Sequence, residues 1–314
     1  MAITWKNNAS LELATLAATA WGADIDHHIS DSGNSVWQIC REGEQFILRL
    51  TDPSYRTLSQ STAELDYLEH LIREEVQVAQ PIPTEGGEFV VTVELDGEKM
   101  FASAFTYAPG ERVSESSPYW NDNLFLEWGR ALGKIHVASG RYERTGEGDR
   151  WQWQDEIFLA YAMDLIPTDD TIAHHELETV LTFLEQFPRS DEMFGMTHGD
   201  FAPQNFHYHP SIGITTFDFG NCCYHWYLSD IAISLTRIRH LPNSKNLQDL
   251  LLQGYREHRE INPDTLRNIN WFFRLRTLYV YLSRLMKYGS HPTTEEQSIL
   301  ASLRDKVGQS ASTA

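Results

Sequence analysis

Thr197-His198-Gly199-Asp200-Phe201-Ala202-Pro203-Gln204-Asn205, followed by Phe217-Asp218-Phe219-Gly220, is the most informative segment of the chain. An aspartate precedes an asparagine by five residues, and a second aspartate follows thirteen residues later. Between the halves lie a β-like run from Phe206 to Tyr208, a turn from Pro210 to Gly213 and a second run from Ile214 to Phe217. A loop feeding a tight hairpin brings all three polar groups to one edge of a sheet. Two unrelated polar turns would also contain Asp and Asn, which are ordinary turn residues. The hairpin set between the two halves favours a joint chemical role. Phosphoryl transfer from Mg-ATP needs such a set: one carboxylate facing an acceptor hydroxyl, plus a carboxylate and an amide oxygen holding the metal.

These residues resemble the aminoglycoside phosphotransferase/choline kinase-like family, which shares the protein kinase fold. The nearest branch is that of homoserine kinase-like and bacterial stress-response kinase-like proteins. The resemblance covers most of the chain. Phe46-Ile47-Leu48-Arg49-Leu50 is similar to the third strand of the small lobe, Ala63-Glu64-Leu65 to its ion-pairing helix, and Asp230-Ile231-Ala232 to a helix start that follows the metal motif. It implies an α+β, bilobal protein kinase-like fold, with a small antiparallel-sheet N-lobe (1–108) and a larger, mainly helical C-lobe (109–314). It also implies ATP as donor, Asp200 as catalytic base, and Asn205 and Asp218 as Mg²⁺ ligands. The inter-lobe link, Phe105 to Ala108, would contact the adenine edge, with Phe105 and Tyr107 as its site residues. Two positions differ from the family's usual pattern: Gly220 stands where an acidic residue is common, and Arg49 where lysine is common. Arginine is always charged and offers a bidentate fork to phosphate or carboxylate.

Arg49 ends a hydrophobic strand and Glu64 lies near the start of the next helix, so the pair can steady the α- and β-phosphates. Ser32-Gly33-Asn34-Ser35, in the turn between the first two strands, is the candidate phosphate loop. Its backbone N–H groups can face phosphate oxygens, and Gly33 permits close approach. His198 reads as structural, bonding near Asp218. His136 reads as a hydrogen-bonded core residue, and His207 and His209 as two side chains on a solvated face. Asp230 reads as a helix cap that also bonds back to the catalytic loop. Asp155 and Glu156 with Trp151 and Trp153, and Tyr224, Trp226 and Tyr227, are candidates to hold an ammonium by charge and cation–π contact.

The 314 residues carry a net charge of −19, which argues against nucleic acid or an anionic membrane surface as partner. That charge invites a cationic substrate, but its distribution weakens the inference. Residues 1–108 hold 17 acidic and 6 basic side chains, net −11, leaving −8 for the rest. Most of the excess thus lies on the nucleotide lobe. Cys40, Cys222 and Cys223 give neither a disulfide framework nor metal spacing, so a reducing cytoplasm is expected. No segment has the length of a membrane span. Leu11 to Trp21 contains Glu12, lacks a clustered basic start and reads as a helix rather than a signal peptide.

Helical periodicity marks Ser61–Glu75, Trp120–Ser139, Asp155–Leu165, Ala173–Phe187, Ser229–His240, Lys245–His258 and Pro263–Lys287, with a frayed tail from Lys306 to Ala314. The expected activity is an ATP- and Mg²⁺-dependent phosphotransferase acting on a hydroxyl of a small metabolite or aminoglycoside-like acceptor. The alternatives are a protein Ser/Thr kinase of the stress-response type and a non-catalytic nucleotide-binding regulator. Neither the acceptor nor the oligomeric state is legible in the sequence.

Overall fold

The structure, a computed structural model, describes residues 8–143 and 149–311. Helix α1 (Leu11–Thr19) opens at Ser10, whose hydroxyl accepts the N–H of Leu13 and so satisfies one otherwise unpaired helix-end donor. Strands β1 (Asp24–Asp31), β2 (Ser35–Arg41) and β3 (Glu44–Thr51) form an antiparallel meander. Glu42 and Gly43 between β2 and β3 both take positive φ, the turn whose twist matches that of its strands. Helix α2 (Leu58–Arg73) starts with a reciprocal cap between Thr57 and Gln60. Strands β4 (Pro81–Ile82), β5 (Val91–Leu95) and β6 (Glu98–Thr106) complete the sheet in the order β1-β2-β3-β6-β4, with β5 also on β6.

The chain continues through β7 (Glu111–Arg112), α3 (Asp122–Ser139), α4 (Ile157–Ala160), α5 (Ala162–Leu165) and α6 (Thr171–Gln186). Then come β8 (Phe194–Thr197), β9 (Phe206–His209), β10 (Gly213–Thr216) and β11 (Cys223–Trp226). Helices α7 (Tyr227–Thr236), α8 (Ser244–Arg256), α9 (Pro263–Leu266), α10 (Ile269–Tyr288) and α11 (Thr294–Ala311) close the fold. The architecture is the α+β, kinase-like one expected from the sequence. The predicted hairpin is β9–β10, with Phe206 opposite Thr216 and β7 on its outer edge. β11 returns to pair with β8, setting Cys223 opposite Thr197. The two halves of the motif are therefore tied at both ends by sheet.

One apolar core lies between α1 and the sheet around Leu13, Trp21, Trp37 and Leu48. The larger core joins the helices and takes in Leu65, Leu68 and Leu71 of α2. The glutamate-bearing helix is thus anchored to the helical part of the molecule as well as to the sheet. Helices α3 and α8 approach closely because both carry glycine at the crossing. A Cβ at Gly129 would fall on the carbonyl of Leu251, and one at Gly254 on that of Leu126.

Several elements differ from the periodicity reading. Asp155–Leu165 is not one helix but a 3-10 turn, Trp153–Asp155, followed by α4 and α5. Pro263–Lys287 breaks into α9 and α10 at Arg267-Asn268. The tail expected to fray from Lys306 is helical to Ala311, because Val307 is buried; 312–314 lie outside the described residues. Among the described residues no helix is long and apolar enough to cross a membrane.

Candidate active site

The catalytic loop leaves β8 at Thr197 and turns at Gly199, whose φ is +81°. A Cβ at Gly199 would land on the carbonyl oxygen of Asn221, so both torsion and space demand glycine. The loop is held from beneath by Asp230, fully buried in α7, which accepts N–H bonds from His198 at 2.7 Å and Gly199 at 2.9 Å. Asp230 does not cap its helix, since the capping position is Trp226; only the loop contact stands. Its Oδ2 also accepts from His136 Nε2 at 3.2 Å, which leaves His136 Nδ1 to accept from the Tyr255 hydroxyl at 2.9 Å. Burial lowers the His136 pKa, matching this neutral tautomer. His198 donates from Nε2 to the carbonyl of Phe217 at 3.1 Å and accepts the Asp200 N–H on Nδ1 at 3.3 Å. It joins the two halves of the motif and is structural, as expected.

The structure brings Asp200, Asn205 and Asp218 to one site. Asn205 Nδ2 donates to the Asp200 carbonyl at 2.8 Å and to Asp200 Oδ2 at 3.1 Å, and its Oδ1 has no hydrogen-bond donor among the described residues, which leaves it to meet a cation. Asp218 sits in the left-handed region at φ 62°, ψ 63°, a conformation that costs a non-glycine residue energy and is held by the surrounding structure. Burial pushes the Asp218 carboxyl above the usual range; Arg49 opposes this, while Glu64 and Asp200 add to it. A buried carboxylate short of positive charge, beside an unused amide oxygen, suits a hard divalent cation. Among the described residues no group of three or more His, Cys, Asp or Glu surrounds an ion position, so such a cation would take its other ligands from phosphate or water.

From the sheet side, Arg49 forms a two-pronged bond to Glu64, 2.7 Å from Nη1 to Oε1 and 2.9 Å from Nη2 to Oε2. Burial disfavours both charges, yet the pairing outweighs it: the Glu64 carboxyl lies below its usual range and the guanidinium above. Arg49 Nε is buried with no acceptor among the described residues, and its guanidinium lies over the Phe105 ring at 4.9 Å. A Cβ at Gly220 would lie 3.3 Å from Asp218 Oδ1 and 3.7 Å from Arg49 Nη1. Glycine there leaves open the space that a third acidic side chain would enter.

These groups face a cavity of about 400 Å³ whose wall includes Ser32, Asn34, Arg49, Glu64, Phe105, Tyr107, Asn205 and Asp218. Asn34 accepts from Thr51 Oγ1 at 2.8 Å, which leaves its amide nitrogen beside Gly220. Gly33, at φ +98°, shapes the turn. Ser35 does not reach the cavity, because it starts β2 with its hydroxyl accepting from Trp37 Nε1 at 3.0 Å. In the link, the Thr106 N–H is bonded to Gln80, whereas the backbone N–H and C=O of Tyr107 meet no partner among the described residues. Those two groups are what a purine edge would need.

Sequence reasoning missed three arginines. Arg150 Nε donates to the Cys222 carbonyl at 2.7 Å, Nη1 to Gln60 at 2.9 Å and Nη2 to Gly220 at 2.6 Å, lashing the metal-motif loop to α2. Arg56 lies between the rings of Tyr55 and Trp151, at 4.0 and 4.1 Å, and reaches Glu156 at 3.3 Å. Arg276, on α10, bonds Asp200 Oδ1 at 2.6 Å. Burial alone would raise the Asp200 carboxyl; Arg276, with His198 and Arg237, outweighs it and holds the group below the usual range. No local motif announces these side chains, since the partners that fix them across the fold are 69–165 residues away, 76 in the case of Arg276.

The expected ammonium cradle is not formed. Glu156 is buried against Arg56, Trp151 packs between Arg56 and Arg150, and Trp226 and Tyr227 are core residues. His207 is not on a solvated face: it is buried and donates from Nδ1 to the Ala108 carbonyl at 2.8 Å, whereas the partly exposed His209 accepts on Nδ1 from the Ser211 N–H.

A protein kinase-like phosphotransferase is what this fold and constellation define. Residues 27–267 match the model of the phosphotransferase enzyme family (APH), and the chain belongs to that family. It is 28% identical to amicoumacin kinase of Bacillus subtilis (strain 168) over 304 residues, 93% of this chain and 90% of that protein. It is also similar to the solved structure of amicoumacin kinase hAmiN in complex with AMP-PNP, Ca²⁺ and Ami, with a TM-score of 0.85 and 25% identity covering 96% of this chain and 94% of the other. The microcompartment-associated aminopropanol kinase matches in fold with a TM-score of 0.79 and 22% identity, covering 95% of each chain.

Proposed function

We propose that the protein is an ATP- and Mg²⁺-dependent kinase that phosphorylates a hydroxyl of a small metabolite. The observation that carries this reading is the convergence of Asn205, Asp218 and the Arg49–Glu64 pair on one cavity wall, with Asp200 joined to it through its hydrogen bond from Asn205. Relatives named for small acceptors, amicoumacin and aminopropanol, favour a small molecule over a protein substrate. Asn205 Oδ1 and Asp218 would hold the cation, which when bound neutralises charge on the phosphates. Arg49, fixed by Glu64, presents Nε and its outer face to the phosphates. Ser32 and Asn34 close over them, and the Tyr107 backbone and Phe105 receive the base.

Asp200 orients the acceptor hydroxyl. As the acceptor oxygen bonds to the γ-phosphorus and the bond to the β–γ bridging oxygen breaks, the hydroxyl proton passes to Asp200 Oδ1. A carboxylate among positively charged neighbours is a weak base, so it takes the proton late, once the oxygen is losing electron density to phosphorus. The setting we infer is cytoplasmic, consistent with three free cysteines.

A thermal shift with ATP plus Mg²⁺, followed by turnover of radiolabelled ATP against sugars, amino alcohols, aminoglycosides and a generic protein substrate, tests the proposal. Stabilisation and transfer to a small hydroxyl compound are expected. No stabilisation by any nucleotide, or transfer only to protein, would overturn it.

A further inference from the structure

A second, smaller cavity of about 50 Å³ opens beside Asp200, between the Trp153–Asp155 turn, α7 and α10. Glu156, Asn221, Ser229, Arg276 and Tyr279 contribute its polar wall. Gly199 of the catalytic loop and Arg276, which bonds Asp200, line the cavity, and it shares no lining residue with the nucleotide cavity.

The charges around it are uneven. Glu156 is already paired with Arg56 at 3.3 Å. Arg276 shares Asp200 at 2.6 Å, and its side chain is 14% exposed. Ser229 and Ile233 line the cavity, and Arg237 follows at the same four-residue helical spacing, so it lies on the same face at the end of α7. Arg237 has no acceptor among the described residues and lies close enough to Arg276 and Asp200 for both to perturb it. His225, also in the wall, is held neutral: burial pushes its pKa down to about 3. Three guanidiniums (Arg56, Arg237, Arg276) therefore face two carboxylates (Asp200, Glu156). In a chain of net charge −19, this local positive surplus stands out. An ammonium group would find every carboxylate here already taken.

We propose that the acceptor is a hydroxy carboxylate, and that Arg276 and Arg237 receive its carboxylate while Asp200 faces its hydroxyl. The inference rests on the kinase reading above. Arg276 offers a planar fork that matches a carboxylate. By moving from Asp200 Oδ1 to the acceptor's carboxylate it frees that oxygen for the hydroxyl, so only a substrate carrying the anion completes the site.

Three probes of similar length test this in the presence of ADP and Mg²⁺: 4-hydroxybutyrate, 1,4-butanediol and 4-amino-1-butanol, titrated calorimetrically. We expect 4-hydroxybutyrate to bind at least tenfold more tightly than the other two, and this preference to disappear in Arg237→Gln or Arg276→Gln. Equal or tighter binding of the diol or the amino alcohol overturns the proposal. So does a failure of all three to bind, or a carboxylate preference unchanged in both variants. A parallel nucleotide titration separates the two levels. Absent nucleotide binding sinks the kinase reading itself, whereas normal nucleotide binding without carboxylate preference sinks only the acceptor class.

Discussion

At the residue scale, the site depends on how each polar atom is committed. Asp200 has one oxygen on Arg276 and the other on Asn205, so it is fixed in direction before any acceptor arrives. Replacing it with asparagine keeps the shape and removes the proton acceptor. We expect Asp200→Asn to lower kcat by about 10²- to 10⁴-fold, with nucleotide affinity changed only slightly. Steady-state kinetics beside a nucleotide titration would check this, and an unchanged kcat would remove Asp200 from the chemistry. Arg49→Lys gives a different signature. A lysine cannot span both Glu64 oxygens, so the KM for ATP should rise while the fold is kept. Asp200, Asn205 and Asp218 were legible in the sequence because their spacing brackets a hairpin. Arg276 was not, because only the packing of α10 across 76 residues of chain brings it to Asp200.

At the scale of elements, two devices position the loops. Asp230 ties the catalytic loop to α7 and α3 through His198, Gly199 and His136. Asp230→Ala leaves two buried N–H groups and an imidazole without an acceptor and should cost about 3 kcal/mol, read from denaturant unfolding. Arg150 ties the metal-motif loop to α2. The α3–α8 crossing depends on its glycines, and Gly129→Ala should destabilise by at least about 1–3 kcal/mol through overpacking against the Leu251 carbonyl. Helices α2, α3, α6, α7, α8 and α10 were readable from periodicity, but α11 was not, because only Val307 of its eighteen residues is buried. Strands β9 and β10 were readable through the turn between them, whereas β4, β7, β8 and β11, runs of two to four residues, are too short to display alternation. Expecting Asp230 to cap its helix went wrong for a related reason. A carboxylate near a helix start satisfies local N–H groups by default, but here tertiary structure offers it better donors.

At the scale of the whole molecule, buried histidines set the acid side of the stability curve. His225 is buried with a pKa near 3, chiefly from loss of solvation and only partly offset by Asp230. In the unfolded chain it titrates near pH 6.5. Below that value the unfolded state binds a proton that the native state refuses. The stabilisation is therefore fully present above about pH 6.5 and is lost as pH falls towards 3, at about 1.4 kcal/mol per unit from this group. His225→Gln should flatten the pH dependence of the unfolding free energy between pH 6 and 4. A slope identical to that of the parent protein would show that His225 is not the group titrating.

In the function proposed above, Asn205 and Asp218 form the cation end of a nucleotide site built by Arg49, Glu64 and the Tyr107 backbone. Isothermal titration of ATP with and without Mg²⁺, in the parent protein and in Asp218→Asn, tests it most directly. The parent should bind ATP more tightly with Mg²⁺, and the variant should lose that enhancement while still binding nucleotide. ATP binding that is absent from the parent, or an enhancement that survives intact in Asp218→Asn, would contradict it.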